Sequence, residues 1–107
     1  MEASKMFNLR RRPTHPGAIL REDFVEPLGI SQTELAGKLR TTFRTVNEIL
    51  NEKRSISPDM ALRLARFFGT SEELWLNLQD QYDLYRARQK SKDLLTKIKP
   101  YRQTTKA

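Results

Sequence analysis

The sequence contains no cysteine. Disulfides, thiolate zinc sites and cysteine nucleophiles are therefore excluded, and the chain suits a reducing cytoplasm. Its one histidine is His15. With no second histidine at a ligand spacing, His15 builds no zinc site, and its expected role is local, beside Pro16. Glycine and proline number four and five among 107 residues, too few for a collagen-like or low-complexity chain. No apolar run approaches the ~18 residues that span a bilayer. The opening MEASKMFNLRRR lacks the apolar stretch of a secretory signal. Neither a nucleophile–base pair nor a phosphate-binding glycine loop is visible, so no enzyme and no cofactor is expected. Glu22 and Asp23 are adjacent and diverge by ~100° around a helix, a poor arrangement for acid–base work.

Charge is present but unevenly placed. The net charge is +7. Residues 1–85 hold twelve basic and twelve acidic side chains, whereas residues 86–107 hold eight basic ones against Asp93 alone. Such a tail favours polyanions in general, and reads equally well as a solvated extension. The basic isoelectric point therefore says nothing about the rest of the chain.

Apolar residues recur at helical rather than alternating spacing. Residues 1–12 read as an arm ending in Arg10, Arg11 and Arg12. Pro16 suits a helix's first turn, Ile19, Leu20 and Phe24 mark one face, and Pro27 is expected to stop the run. Ser31-Gln32-Thr33-Glu34 reads as a capping box opening a helix with Leu35, Ala36 and Leu39 inward. Thr42 caps a third helix whose stripe is Val46, Ile49 and Leu50. Ser57-Pro58-Asp59 starts a fourth, ended by Gly69. Thr70 to Glu73 reads as another box, followed by a fifth helix through Leu74, Leu78, Tyr82 and Tyr85 towards Gln89. Leu94, Leu95, Ile98 and Tyr101 follow among basic residues, where Pro100 keeps any helix short.

The second and third helices, a few residues apart, have the spacing of a helix-turn-helix. The third helix leaves Phe43, Arg44, Asn47 and Glu48 outward, with Thr42 and Thr45 near its start. A helix fits the major groove and reads base edges from its N-terminal residues. Arg44 can fork onto guanine, Asn47 onto adenine, and Thr45 or Phe43 can touch a thymine methyl. Gln32 is positioned for a phosphate. Arg40 before the helix, and Lys53 and Arg54 after it, complete the candidate DNA surface. On spacing alone a solvated helix face is the better explanation of these residues.

Ser31-Gln32-Thr33-Glu34-Leu35-Ala36 and Thr45-Val46-Asn47-Glu48-Ile49-Leu50-Asn51 resemble the Cro/C1-type (xenobiotic-response-element) helix-turn-helix. Pro13-Thr14-His15-Pro16-Gly17, Phe24 to Ser31, Lys53 to Leu64 and Leu74-Trp75-Leu76-Asn77-Leu78-Gln79 narrow the resemblance to HigA-type antitoxins, also called virulence-associated protein I, over about residues 10–85. The resemblance implies an all-α, five-helix Cro/C1 (lambda repressor-like) domain with a basic C-terminal tail. We divide the chain into an arm (1–12), a helix-turn-helix domain (13–89) and the tail (90–107). The resemblance also implies a cytoplasmic bacterial antitoxin that binds a RelE-like, mRNA-cleaving toxin of HigB type. It further implies repression of its own operon, as a homodimer on palindromic double-stranded DNA, with no membrane contact. The alternative is a stand-alone repressor of the same type without a toxin, or a protein-interaction module.

Three positions depart from the family pattern. Arg40 stands where the turn usually has glycine, so either the turn is built differently or Arg40 is strained to face phosphate. Asn51-Glu52-Lys53 replaces Asn-Gly-Lys, and Asn51 is expected to take the left-handed position. Phe43 replaces a polar or basic residue. On the fifth helix, Trp75, Leu76 and Leu84 fall partly off the inward stripe. Either Trp75 completes the core, or the three form a second apolar face; we assign them to a dimer interface.

Overall fold

The computed structural model describes residues 13–101. The expected arm, including Arg10 to Arg12, and the end of the tail, with Arg102 and Lys106, lie outside the described residues. Among the described residues there are six helices and no strand. They are α1 (16–28), α2 (Gln32–Leu39), α3 (Phe43–Leu50), α4 (Pro58–Phe68), α5 (Glu72–Lys90) and α6 (Lys92–Lys97). The sixth corrects the five-helix expectation.

Pro16 occupies the first turn of α1, and His15 caps it, Nδ1 accepting the Gly17 N–H at 2.8 Å. Contrary to expectation, Pro27 does not stop this helix. The middle of α1, Leu20–Val25, is π-helical, and the Glu26 N–H reaches back to the Arg21 carbonyl. Proline donates no hydrogen bond and its ring crowds the carbonyl four residues earlier. The wider turn fits that constraint, and the chain leaves the helix only at Gly29, with φ 66°.

Side-chain caps start the next four helices. Ser31, Thr42, Ser57 and Ser71 each accept an N–H three residues on, at 3.0–3.1 Å. The cap of α5 is thus Ser71, not Thr70. Thr70 is committed elsewhere: its hydroxyl accepts the indole N–H of Trp75 at 2.8 Å. One core gathers Leu20 and Val25 of α1, Leu35 and Leu39 of α2, Val46, Ile49 and Leu50 of α3, Ile56, Met60 and Leu64, and Trp75 of α5. Phe24 lies against Trp75 and Phe68 at ring separations of 5.2 and 4.9 Å.

Where α1 meets α3, only glycine fits. A Cβ on Gly17 would lie 1.8 Å from the Ile49 carbonyl oxygen. This close approach sets α1 directly on α3 and helps fix which face of α3 is left outward.

Candidate nucleic-acid interface

The turn between α2 and α3 is built on a strained residue. Arg40 takes the left-handed conformation, with φ 58°, that the family pattern gives to glycine. The Thr41 N–H bonds the Ala36 carbonyl at 2.9 Å, closing α2. Arg63 of α4 donates from Nη1 to the carbonyls of Leu39 and Arg40 at 2.9 and 2.7 Å. It is itself held by Asp59 at 2.9 Å. The turn is thus left-handed at Arg40 and braced from α4, and a non-glycine residue accepts roughly 1 kcal/mol of strain to make it.

With Val46, Ile49 and Leu50 buried, α3 turns its other side out. Two connected sets lie along it. In the first, Asn47 Nδ2 donates to Gln32 Oε1 across the α2–α3 gap at 2.9 Å, and Asn51 Nδ2 donates to Asn47 Oδ1 at 3.2 Å. In the second, the Glu48 carboxylate accepts from Arg44 Nε and from Arg54 Nε, each at 2.9 Å. Those bonds hold the Glu48 carboxyl below its ordinary range, chiefly through Arg44 and then Arg54; the bond from Glu48 raises the Arg44 guanidinium. Phe43 is half exposed beside them. The Thr42 hydroxyl donates to that of Thr45 at 3.0 Å. Lys53 and Arg40 are exposed. Gln32, proposed for a phosphate, is joined to Asn47 in the unbound chain.

The loop after α3 corrects one expectation. Asn51 has φ −94°, and the left-handed residue is Glu52, with φ 63°. Lys53 N–H closes on the Glu48 carbonyl at 2.8 Å, so the positive φ falls on the residue before Lys53. The Glu52 carboxylate lies 3.5 Å from Arg21.

Three residues that hold this surface escaped the sequence reading. Arg21 of α1 donates to the Leu50 carbonyl at the end of α3. Gln79 of α5 is buried; its Oε1 accepts the Ile56 N–H at 2.8 Å and its Nε2 donates to Asp83 at 3.0 Å. Arg63 supports the turn as described. The only local signal was Gln79 itself, a polar residue one helical turn beyond Trp75.

The proposed dimer residues divide. Trp75 is wholly buried within its own chain, so it offers no surface to a partner. This corrects its assignment: packed on Phe24 and bonded to Thr70, it completes the core. Leu76 is half-buried against that core, and Leu84 is half exposed. His15 is buried, edge-on to Tyr82 at 4.9 Å, and burial lowers its pKa below the ordinary 6.5. Among the described residues no cluster of His, Asp and Glu is placed to hold a metal ion, and no helix is long and apolar enough to cross a membrane.

A helix-turn-helix family matches residues 20–75 of the chain. Virulence-associated protein I of Dichelobacter nodosus is 48% identical over 75 residues, covering 70% of this chain and 69% of that protein. The structure of Pseudomonas aeruginosa antitoxin HigA with higBA promoter matches with a TM-score of 0.81 at 44% identity, over 85% of this chain and 100% of that one. An addiction module antidote protein of a HigA family from Coxiella burnetii matches with a TM-score of 0.78 at 48% identity, over 84% and 99%.

Proposed function

Because the chain belongs to the helix-turn-helix family, in the group of virulence-associated protein I and the HigA antitoxins, we propose that it is a DNA-binding antitoxin that represses its own operon and neutralises a RelE-like toxin of HigB type. The observation that carries the DNA reading is the outward face of α3, where an amide row (Gln32, Asn47, Asn51) runs beside an arginine pair (Arg44, Arg54). The family match to a HigA with promoter DNA supports it.

In this reading α3 enters the major groove by its N-terminus. Arg44 turns from Glu48 to guanine O6 and N7, Asn47 reads adenine, and Phe43 lies on a thymine methyl. Gln32, Arg40 and Lys53 take phosphates and set the register, while Arg54 flanks the face from its place on Glu48. One such helix reads only a few base pairs, so a two-fold dimer on a palindrome is required, with α3 helices ~34 Å apart. The exposed Leu84, with Leu76, supplies the apolar part of that contact from α5, and Trp75 takes no part.

Binding to the DNA upstream of its own gene, followed by gel shift, tests the repressor. Arg44→Ala is expected to lose about 1–3 kcal/mol on that DNA and to relax discrimination at one base pair. Unchanged affinity would reject the α3 face. The toxin is tested separately, by co-expression with the small reading frame beside the gene. Rescue of growth and co-purification are expected; a protein that represses with no toxin beside it is the stand-alone repressor.

A further inference from the structure

The Glu48 carboxylate lies between two guanidinium groups on the face that meets DNA. Oε2 accepts from Arg44 Nε at 2.9 Å, and Oε1 accepts from Arg54 Nε at 2.9 Å with Nη2 at 2.8 Å. The Arg44 side chain is 81% exposed and that of Arg54 45%. Ion pairs this open to water add little to stability. On a helix, moreover, a cation four residues before its acid is the weaker order. The fold thus gains little from an acid here, yet the acid sets a negative charge in the middle of a surface that must meet phosphates.

We propose that Glu48 is a specificity determinant: by engaging Arg44 and Arg54, it penalises non-specific DNA more than the operator. The inference rests on the DNA-binding reading above. Non-specific affinity comes almost wholly from the number of phosphates neutralised. To grip a phosphate, either arginine must give up a charge-assisted bond to the carboxylate. Random DNA returns one phosphate contact for that loss. A correctly placed guanine returns a two-pronged bond to Arg44, while Arg54 stays on Glu48 and keeps the carboxylate neutralised. The same carboxylate bridges the helix to the loop six residues on, so the two arginines move as a coupled pair.

The test compares the full chain with its Glu48→Gln and Glu48→Asp variants on the upstream DNA and on a scrambled duplex of equal length, across a range of salt. Glu48→Gln is expected to bind the scrambled duplex about 5–10-fold more tightly near 0.1 M salt, with a slope steeper by up to ~0.9, one added phosphate contact. Affinity for the upstream DNA is expected to change much less, so the ratio of the two falls. Glu48→Asp keeps the charge on a shorter stem and is expected to bind scrambled DNA as weakly as the unaltered chain. The proposal is overturned if Glu48→Gln leaves the scrambled-duplex affinity and slope unchanged. It is also overturned if Glu48→Asp behaves like Glu48→Gln, which would assign the effect to bridge geometry rather than charge. Failure of the underlying reading looks different: the unaltered chain itself would not prefer the upstream DNA.

Discussion

The two halves of α5 belong to one continuous helix but do opposite things. The first half buries Trp75 and Gln79 and packs Leu74, Leu76 and Leu78 on the core. From Asp80 to Lys90 no residue is buried, and Leu84 is half exposed. Beyond it, α6 buries nothing, and Leu94, Leu95 and Ile98 are all at least half exposed. Apolar residues at helical spacing occur in both regions. Spacing thus reports a helix, while burial depends on what the rest of the chain brings against it. In the second half, Arg88 and Lys90 sit in the last turn, where cations favour the negative helix end.

The sharpest way to break this contrast is to cut one apolar side chain from each half. Trp75→Ala is expected to destabilise the chain by about 3–5 kcal/mol, the range for removing a large buried ring. Leu84→Ala is expected to cost under about 0.5 kcal/mol in dilute solution. Urea unfolding at two protein concentrations checks both. A Leu84→Ala penalty that grows with concentration would place Leu84 in a subunit contact.

Gly17→Ala probes the packed region through the backbone. Its methyl would meet the Ile49 carbonyl at 1.8 Å, and neither helix can yield without opening the core. A loss of about 3 kcal/mol is expected, at the upper end for overpacking, read from the same unfolding curves.

A smaller effect follows from His15. Its folded-state pKa is lowered by burial, so the unfolded chain binds more protons near pH 6.5. Stability from this group is complete above the unfolded value and is lost as pH falls below it. Unfolding measured between pH 8 and 5 is expected to show that decline, and His15→Asn, which keeps a cap without a titrating ring, is expected to flatten it. Removing residues 91–107 should leave the decline intact, because the chain's only histidine is His15.

Two minor changes complete the contrast. Arg40→Gly is expected to raise stability by up to ~1 kcal/mol by relieving the left-handed residue, while weakening DNA binding if Arg40 holds a phosphate. Truncation after Lys90 is expected to shift the unfolding free energy by less than about 0.5 kcal/mol. A larger loss would mean that α6 packs on something in solution.

Most of the helical frame and the choice of which side of α3 faces outward were legible in the residues. Ser31, Thr42 and Ser57 announced helix starts because a cap acts over three residues. Val46, Ile49 and Leu50 announced which side of α3 is inward, and with it that Arg44, Asn47 and Glu48 are outward. The partners of those outward residues were not legible. Asn47 meets Gln32 fifteen residues away, and Glu48 meets Arg54 across a loop whose shape depends on Glu52 being left-handed.

The sequence by itself determined the helical character of the described residues, the caps of α2, α3 and α4, the α2–turn–α3 unit and the neutral character of residues 1–85. Each of these follows from composition or from interactions within about one helical turn. Tertiary structure decided the rest. It carried α1 through Pro27 on a wider turn and moved the α5 cap to Ser71 while Thr70 took the Trp75 indole. It also spent Trp75 on the core and left Leu84 outside. It tied the end of α3 down through Arg21 at Leu50, and the loop that follows through Gln79 at Ile56, pairs 29 and 23 residues apart. At such separations no local preference selects the partner; only the packing of the helices brings these donors and acceptors together.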